Sequence, residues 1–239
     1  MTYILGCVEQ CLSGSFEDKL DLLEELGLWL ELVNTGPRDI SPLDSYSVKV
    51  KTVQAYMLHK LHWLNPEKKM QEAAYEHILD TIKIAEDIGA DHVLTVPTYG
   101  FDLADNSRQL CVQNFRNISK ETNLVILIEA LSPKKTGFLP SLPAVAELVD
   151  EINRDNVGLA ADTWHIQESD LEVVEIFDDF DVIELHLRDT NSTPPGQGTI
   201  DFRGIIKALS PQLLCLEFNG GTKMDLIAAY KYLTSLIPN

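Results

Sequence analysis

The chain has 239 residues, 45% of them hydrophobic and 23% charged, which suits one barrel-sized domain with an ordinary core and argues against disorder. Its 37 acidic residues outnumber 19 basic ones, giving a formal net charge of −18. That excess repels phosphate backbones and anionic membranes, so we predict no nucleic acid and no membrane as partners.

The sequence predicts neither secretion nor membrane insertion. No apolar run approaches the roughly 18 residues that a bilayer span needs, and residues 1–10 carry no basic segment of the kind that begins a signal peptide. The four cysteines, at positions 7, 11, 111 and 215, are too few and too scattered for a disulfide framework or a zinc knuckle. We therefore expect a cytoplasmic protein with reduced thiols.

Apolar runs alternate with amphipathic segments along the whole chain. The apolar runs predict strands at residues 3–8, 28–33, 50–57, 92–97, 124–131, 157–162, 182–187 and 213–218. The amphipathic segments predict helices at residues 16–26, 66–88, 105–122, 143–153, 170–177, 201–209 and 222–236. The segment 34–48, rich in Pro, Asp and Ser, is expected to form a loop with at most one helical turn.

This alternation predicts an α/β fold, a single (β/α)8 TIM barrel over residues 1–239 with a shortened second helix. Eight repeats in 239 residues give about 30 residues each, the size of one βα unit, and near-continuous apolar strands are typical of a parallel sheet covered on both faces. A doubly wound open sheet is the alternative, but the chain lacks a glycine-rich phosphate loop after the first strand.

Four predicted strand ends carry polar residues, namely Glu129, Asp162, His186 and Glu217. Their separations of 33, 24 and 31 residues correspond to about one repeat each, so they are expected at similar heights on strands five to eight, at the end where such barrels place their chemistry. Three carboxylates buried together need a positive partner, and carboxylates with one histidine suit a divalent cation.

The alternative to a metal is a network of ion pairs inside the barrel. The supply of basic partners is small, because Arg188 is the only basic residue on a late strand, and Lys134 and Lys135 lie on the loop after strand five. We therefore favour the metal site.

Three segments carry a resemblance to a known family. They are Glu-Ala-Leu-Ser-Pro-Lys-Lys-Thr-Gly-Phe-Leu-Pro-Ser at 129–141, Asn-Val-Gly-Leu-Ala-Ala-Asp-Thr-Trp-His-Ile at 156–166 and Pro-Gly-Gln-Gly-Thr-Ile-Asp-Phe at 195–202. In order and spacing they resemble the xylose isomerase-like TIM-barrel superfamily, in particular its sugar isomerase/epimerase branch, which is related to the ketose 3-epimerases and hydroxypyruvate isomerases.

The resemblance implies one divalent metal ion, with manganese, magnesium or cobalt expected and zinc possible. Its ligands would be Glu129, Asp162, His186 and Glu217, and Glu129 and Glu217 would also form the acid/base pair. His165 matches a histidine beside the substrate oxygens. The implied reaction is isomerisation or epimerisation of a small sugar or keto substrate, by proton transfer through a metal-stabilised enediolate.

Two positions depart from the family pattern. Ser192 stands where the sugar epimerases usually carry an arginine that grips the substrate, and Gln197 replaces a frequent glutamate. Arg188 shares a strand face with His186 and is the candidate replacement, unless it forms a salt bridge with Asp189. His62 and Trp164 are further candidate substrate contacts.

Three other functions stay open at this point. A dehydratase of the inosose or dehydroshikimate type would use the same metal and carboxylates. An apurinic endonuclease would need further histidine ligands, which the predicted fourth strand, ending in Val-Pro-Thr-Tyr, lacks. A barrel that binds without turnover would show a broken ligand set, whereas the set here is intact. A homo-oligomer is possible in each case.

Overall fold

The computed structural model of the protein describes residues 4–208 and 213–237. Its eight strands are parallel and close into a barrel in the chain order β1 to β8. The strands are β1 Ile4–Val8, β2 Trp29–Val33, β3 Val50–Gln54, β4 His92–Thr95, β5 Val125–Glu129, β6 Val157–Asp162, β7 Val182–Leu187 and β8 Leu213–Leu216. The predicted (β/α)8 barrel is therefore confirmed.

The helices follow the strands in most repeats. They are α1 Phe16–Leu26, α2 Leu58–Leu61, α3 Lys68–Asp87, α4 Ser107–Ile118, α5 Leu142–Ile152, α6 Thr163–Gln167, α7 Phe202–Ala208 and α8 Lys223–Leu236. After β2 the chain forms only a 3-10 turn, Ser41–Ser45, which confirms the shortened second helix. Two predicted ends, residue 3 of the first strand and residue 209 of the seventh helix, lie outside the described residues.

Helix α1 begins and ends where its sequence predicts. The hydroxyl of Ser15 accepts a hydrogen bond from the backbone N–H of Asp18, and the Asp18 carboxylate accepts one from the backbone N–H of Ser15. This reciprocal pair satisfies two of the amide groups that a helix start leaves open. Gly27 ends the helix in the left-handed conformation, at φ 66°, which glycine adopts without strain.

The helix predicted at residues 170–177 is wrong. The chain forms the short α6 directly after β6, because the Asp162 carboxylate accepts a hydrogen bond from the backbone N–H of His165 and so caps that helix. Asp170 then adopts a positive φ of 56°, which turns the chain, and only a 3-10 turn at Glu175–Asp178 follows. Leu171 and Val174 pack against the core without a helix.

Alternation along the strands divides the apolar residues into two groups. Ile126 and Ile128 belong to the large core between the barrel and its helices, whereas Leu94, Leu127 and Ala160 form a separate small cluster. Since neighbouring strand residues point to opposite faces, this second cluster occupies the barrel interior. All four cysteines are buried free thiols. Within the described part of the chain, no helix combines the length and apolar character needed to cross a membrane.

Candidate metal centre

Four side chains from neighbouring strands converge at the carboxyl end of the barrel. Glu129 ends β5, Asp162 ends β6 directly beside His186 of β7, and Glu217 follows β8. Their ligand atoms all lie within 4.8 Å of one another. The side chains of Asp162 and His186 are fully buried, that of Glu129 is nearly so, and that of Glu217 is 22% exposed. The strand ends predicted to meet therefore do meet.

His186 and Arg188 supply the positive charge within this group. The Nδ1 atom of His186 lies 3.1 Å from Oε2 of Glu217 and 3.6 Å from Oε1 of Glu129. Arg188 places Nε 2.7 Å from Oδ2 of Asp162 and an Nη atom 3.4 Å from Oε2 of Glu217. Arg188 therefore points into the site, and the expected alternative of a salt bridge to Asp189 is wrong. Ion pairs, the alternative to a metal, therefore do occur here, but Arg188 is a single permanent cation among three carboxylates.

Burial and neighbouring charges shift the protonation equilibria of the group. Burial raises the pKa of Asp162 to about 7, although Arg188 opposes the shift. Burial alone would raise the pKa of Glu217, but Arg188 and His186 outweigh it and hold this pKa well below its ordinary value. Burial alone would lower the pKa of His186, but Glu31 and Glu217 outweigh it and raise this pKa. Without a metal, the neighbouring carboxylates therefore favour the charged form of His186.

Two buried glutamates that the sequence interpretation missed lie on the other side of His186. The Nε2 atom of His186 is 2.8 Å from Oε2 of Glu31 and 3.4 Å from Oε1 of Glu184. The hydroxyl of Thr52 donates to Oε2 of Glu184 at 2.5 Å. Glu31 and Glu184 are fully buried, and with His186 and Cys215 they form a second group of closely spaced ligand atoms.

The pKa values of the two missed glutamates shift in opposite directions. Burial raises the pKa of Glu31 well above its ordinary value, with Glu184 adding to the shift and His186 opposing it. Burial also acts to raise the pKa of Glu184, but hydrogen bonds from His186 and Glu31 outweigh it and lower this pKa. The arrangement fits one shared proton between the two carboxyl groups. The available sequence signal was a single glutamate in the middle of each of two apolar strands, at positions that alternation assigns to the barrel interior.

A cavity of about 300 Å³ opens beside the four converging residues. This volume lies at the lower end of the roughly 300–1,000 Å³ that ligand pockets span, so the cavity suits a small ligand. Several loops and strands contribute to its wall. Its lining residues are Gln10, Gln54, Ala55, Tyr56, His59, Leu94, Thr95, Val96, Tyr99, Glu129, Lys135, Trp164, His165, Arg188, Glu217 and Asn219.

His165 is held in one neutral tautomer. Its Nδ1 lies 3.2 Å from the backbone nitrogen of Ser132, which can only donate, so Nδ1 accepts and the ring proton sits on Nε2. Burial and the nearby Arg188 charge lower the pKa of His165 well below its ordinary value. Trp164, the residue before it in α6, faces the cavity with the Arg188 guanidinium 4.8 Å from its ring centroid.

Of the predicted substrate contacts, His165, Arg188 and Trp164 line the cavity, whereas His62 is not among the described residues that do. His62 instead donates from Nδ1 to the backbone carbonyl of Tyr99, 3.0 Å away. His59, one turn earlier, lines the cavity in its place because α2 turns the chain after β3. The substrate contact of His62 therefore stays a prediction, made by a residue outside this cavity wall.

Asp189 organises the glycine-rich turn that follows β7. Its carboxylate accepts hydrogen bonds from the backbone N–H groups of Thr190, Gly196, Gly198 and Ile200, at 2.8–3.0 Å. The turn can approach so closely because residue 198 has no side chain: a Cβ there would lie 2.3 Å from Asp189 Oδ1. Asp189 is thus a structural residue, which explains why Arg188 is free to face the site.

Solved structures share this fold over nearly the whole chain. The 3-keto-D-glucoside 4-epimerase YcjR from E. coli is 14% identical, with a TM-score of 0.82 and coverage of 98% of this chain and 99% of that one. A zinc-bound IolI protein is 18% identical, with a TM-score of 0.79 and coverage of 98% and 97%. The probable 3-DHS dehydratase AsbF from Bacillus anthracis is 19% identical, with a TM-score of 0.78 and coverage of 98% and 99%.

Identities this low establish the shared fold alone, and no protein of curated function matches the sequence. The family model described as xylose isomerase-like TIM barrel, however, matches residues 16–220, which is most of the chain. The chain therefore belongs to the xylose isomerase-like TIM-barrel family.

Proposed function

We propose that the protein is a divalent-metal-dependent isomerase or epimerase of a sugar or small hydroxyketone. The observation that carries the proposal is the placement of Glu129 and Glu217, which come from β5 and from the end of β8 yet line one cavity together with neutral His165. Two carboxylates that face one small cavity can act as general base and general acid, and so move a proton between two positions of a bound substrate. The similarity to a solved sugar epimerase of the same fold supports this class.

The residues present fit a divalent ion. Three carboxylates and one imidazole offer ligand atoms within 4.8 Å of one another, a donor set that suits manganese, magnesium, cobalt or zinc. Oδ2 of Asp162 is buried and lies 2.7 Å from Nε of Arg188, so it would serve as a ligand atom by sharing or replacing that ion pair. We propose that Glu129, Asp162, His186 and Glu217 hold the ion. When bound, such an ion supplies Lewis-acid stabilisation of negative charge on the substrate oxygens.

In this proposal the protein residues carry the proton. Glu217 is available as a base at neutral pH, because Arg188 and His186 hold its pKa well below the ordinary value and so favour its ionised form. It removes a proton from the carbon beside the substrate carbonyl and becomes a carboxylic acid, and Glu129 donates a proton taken up from solvent on the other side of the cavity. Proton exchange with solvent then returns both side chains to their starting forms. Return to the opposite face of the same carbon gives epimerisation, and return to the neighbouring carbon gives isomerisation. His165, with its proton on Nε2, donates to a substrate oxygen.

The test is proton exchange with manganese-loaded protein. Ketoses and small hydroxyketones are incubated in D2O and followed by proton NMR, and we expect deuterium incorporation together with a new isomer. Glu129→Gln and Glu217→Gln should each slow exchange by about 100-fold or more, since proton transfer by a positioned side chain contributes about 10²–10⁴-fold. Glu147→Gln, an exposed carboxylate on α5, is the matched control and should leave exchange unchanged.

Other outcomes would redirect or overturn the proposal. A new enone or diketone without isomer formation would indicate a dehydratase instead. AsbF, a probable dehydratase, has the same fold and is the reason to look for these products. Failure to take up manganese, or metal content unaffected by Glu217→Gln, would contradict the ligand set. The cytoplasmic location and a homo-oligomeric state stay predictions.

A further inference from the structure

We infer that the cavity selects a substrate carrying an anionic group, a carboxylate or a phosphate, next to its hydroxyketone, and that Lys135 is the residue responsible. The inference rests on the proposed function, because it counts the divalent ion among the charges of the site. It goes further by naming the substrate class and a specificity residue.

Lys135 lies at the cavity wall on a fixed backbone. Its N–H donates to the carbonyl of Ser132, and its own carbonyl accepts from the N–H of Gly100, both at 2.9 Å. These bonds tie the loop after β5 to the loop after β4, where Gly100 and Thr136 form a parallel bridge. The base of the side chain is therefore held in place, and the ammonium lies 5.7 Å from the ring centroid of Trp164.

The ammonium of Lys135 has no carboxylate partner among the described residues. Lys134, its neighbour, forms an ion pair with Glu168, and it does not line the cavity. Other exposed lysines, such as Lys60 and Lys83, also lack a carboxylate partner among the described residues, so Lys135 is distinguished by its place at the cavity wall. An anionic ligand group would supply the missing partner.

The Lys135 ammonium and the Arg188 guanidinium both lie near the ring of Trp164. The guanidinium carbon of Arg188 lies 4.8 Å from the Trp164 ring centroid and the Lys135 nitrogen 5.7 Å from it, so both cations border the same part of the cavity. Arg188 is occupied by Asp162 and Glu217, which leaves Lys135 as the free charge of the pair.

The charge balance of the site shows what Lys135 contributes toward an anion. Glu129, Asp162 and Glu217 carry three negative charges, and the pair of Glu31 and Glu184 behind His186 carries one more when it shares a proton. Arg188 and Lys135 offset two of these charges and a divalent ion offsets the other two, so the loaded site is neutral when the histidines are neutral. Without Lys135 it would carry one net negative charge. Lys135 therefore removes a repulsion that an anion would meet in a protein of net charge −18, and it supplies a local positive charge at the cavity wall.

The test uses three-carbon probes that differ mainly in charge. Hydroxypyruvate carries a carboxylate, dihydroxyacetone phosphate a phosphate, and dihydroxyacetone neither, while all three present a carbonyl beside a hydroxymethyl or its ester. Binding of each to manganese-loaded protein is measured by titration calorimetry, for the natural sequence, Lys135→Gln and Lys134→Gln. The last variant removes the same charge one residue away, from a lysine outside the cavity wall.

We expect at least one anionic probe to bind about tenfold more tightly than dihydroxyacetone, and Lys135→Gln to remove most of that preference, as expected for one partly screened charge at contact range. Lys134→Gln should change each affinity less than twofold. The anionic preference should also weaken with added salt in the natural protein and not in Lys135→Gln. Comparison of the two anionic probes tells a carboxylate from a phosphate.

Equal affinity for all three probes, or equal effects of Lys135→Gln and Lys134→Gln, would overturn the inference. If manganese is bound and dihydroxyacetone exchanges its protons in a Glu217-dependent way, such a result leaves the proposed function standing. A protein that takes up no manganese overturns both, because the charge balance includes the ion.

Discussion

The Nε2 atom of His186 lies 2.8 Å from Oε2 of Glu31, while Nδ1 of the same ring faces Glu217 at 3.1 Å. The ring thus connects a carboxylate in the barrel interior with the candidate metal centre. A ligand nitrogen carries no proton, so a ring that binds a metal through Nδ1 keeps its proton on Nε2, where Glu31 accepts it. Such carboxylate–histidine pairs fix the ring orientation and raise its basicity.

Glu31→Gln should therefore lower the affinity for manganese by about 10–100-fold, the usual effect of losing the carboxylate behind a histidine ligand. The measurement is titration of the metal-free protein with manganese, followed by calorimetry. Glu184→Gln should have a smaller effect, because Glu184 is farther from Nε2, at 3.4 Å. Glu147→Gln on exposed α5 is the control. Unchanged manganese affinity in Glu31→Gln would show that Glu31 does not support the ligand.

Manganese affinity should rise with pH between pH 6 and 8. The pKa of His186 is raised above its ordinary value and that of Asp162 is raised to about 7, so both groups hold protons at pH 6 that the metal must displace. As the pH rises through these pKa values, His186 and Asp162 lose their protons, which then no longer compete with manganese for the ligand atoms. The dissociation constant should fall by up to about tenfold per pH unit for each proton released. Affinity that is flat or falls with rising pH would contradict these protonation states.

The sequence could predict the four converging residues because their positions follow from topology. Glu129, Asp162, His186 and Glu217 end consecutive parallel strands, and the carboxyl ends of such strands meet at one end of a barrel. The face of Arg188 followed from alternation in the same way. Its partner did not, because the choice between Asp162 and Asp189 depends on the turn that Asp189 organises through four backbone N–H groups.

The surroundings of the buried glutamates and the position of the sixth helix depend on contacts that the spacing of apolar residues does not predict. Glu31 and Glu184 lie within apolar strands, and their relation to His186 depends on the orientation of the imidazole ring. The helix predicted at residues 170–177 has suitable apolar spacing, but the cap at Asp162 starts a helix earlier and the chain has turned before that segment begins. Local capping thus outweighed a weak amphipathic pattern.

Glu9 should stabilise the fold in a pH-dependent way. Its carboxylate accepts two hydrogen bonds from Arg38, at 2.5 and 2.6 Å, and one from Lys19 at 3.2 Å. Burial acts to raise the pKa of Glu9, but Arg38 outweighs it and lowers this pKa. The stabilisation is therefore present above the unfolded-state pKa, near 4.3, and is lost as pH falls through the lower folded-state value.

Glu9→Gln should lower the free energy of unfolding at pH 7 by about 2 kcal/mol, as expected for a buried carboxylate with charged donors. Urea unfolding measures the difference, which should shrink as the pH is taken below 4. The control is Glu72→Gln, in the exposed pair of Lys68 and Glu72, with an expected effect below about 0.5 kcal/mol. A difference between the natural protein and Glu9→Gln that stays constant with pH would contradict the assignment.

Replacing Asp189 or Gly198 should destabilise the turn after β7 without removing a metal ligand. Asp189→Asn replaces one acceptor oxygen with an NH2 group, which cannot accept a hydrogen bond. Some backbone N–H groups of the turn, such as the buried one of Ile200, would then lose their partner, which should lower the free energy of unfolding by about 2 kcal/mol. Gly198→Ala introduces a Cβ 2.0 Å from Thr190 Oγ1 and should lower it by about 1–3 kcal/mol. Asp181→Asn, at an exposed position before β7, is the control. Urea unfolding reports stability and calorimetry reports manganese binding. If Asp189→Asn unfolds at the same urea concentration as the natural protein, the four hydrogen bonds of the Asp189 carboxylate do not stabilise the turn, and the prediction is wrong.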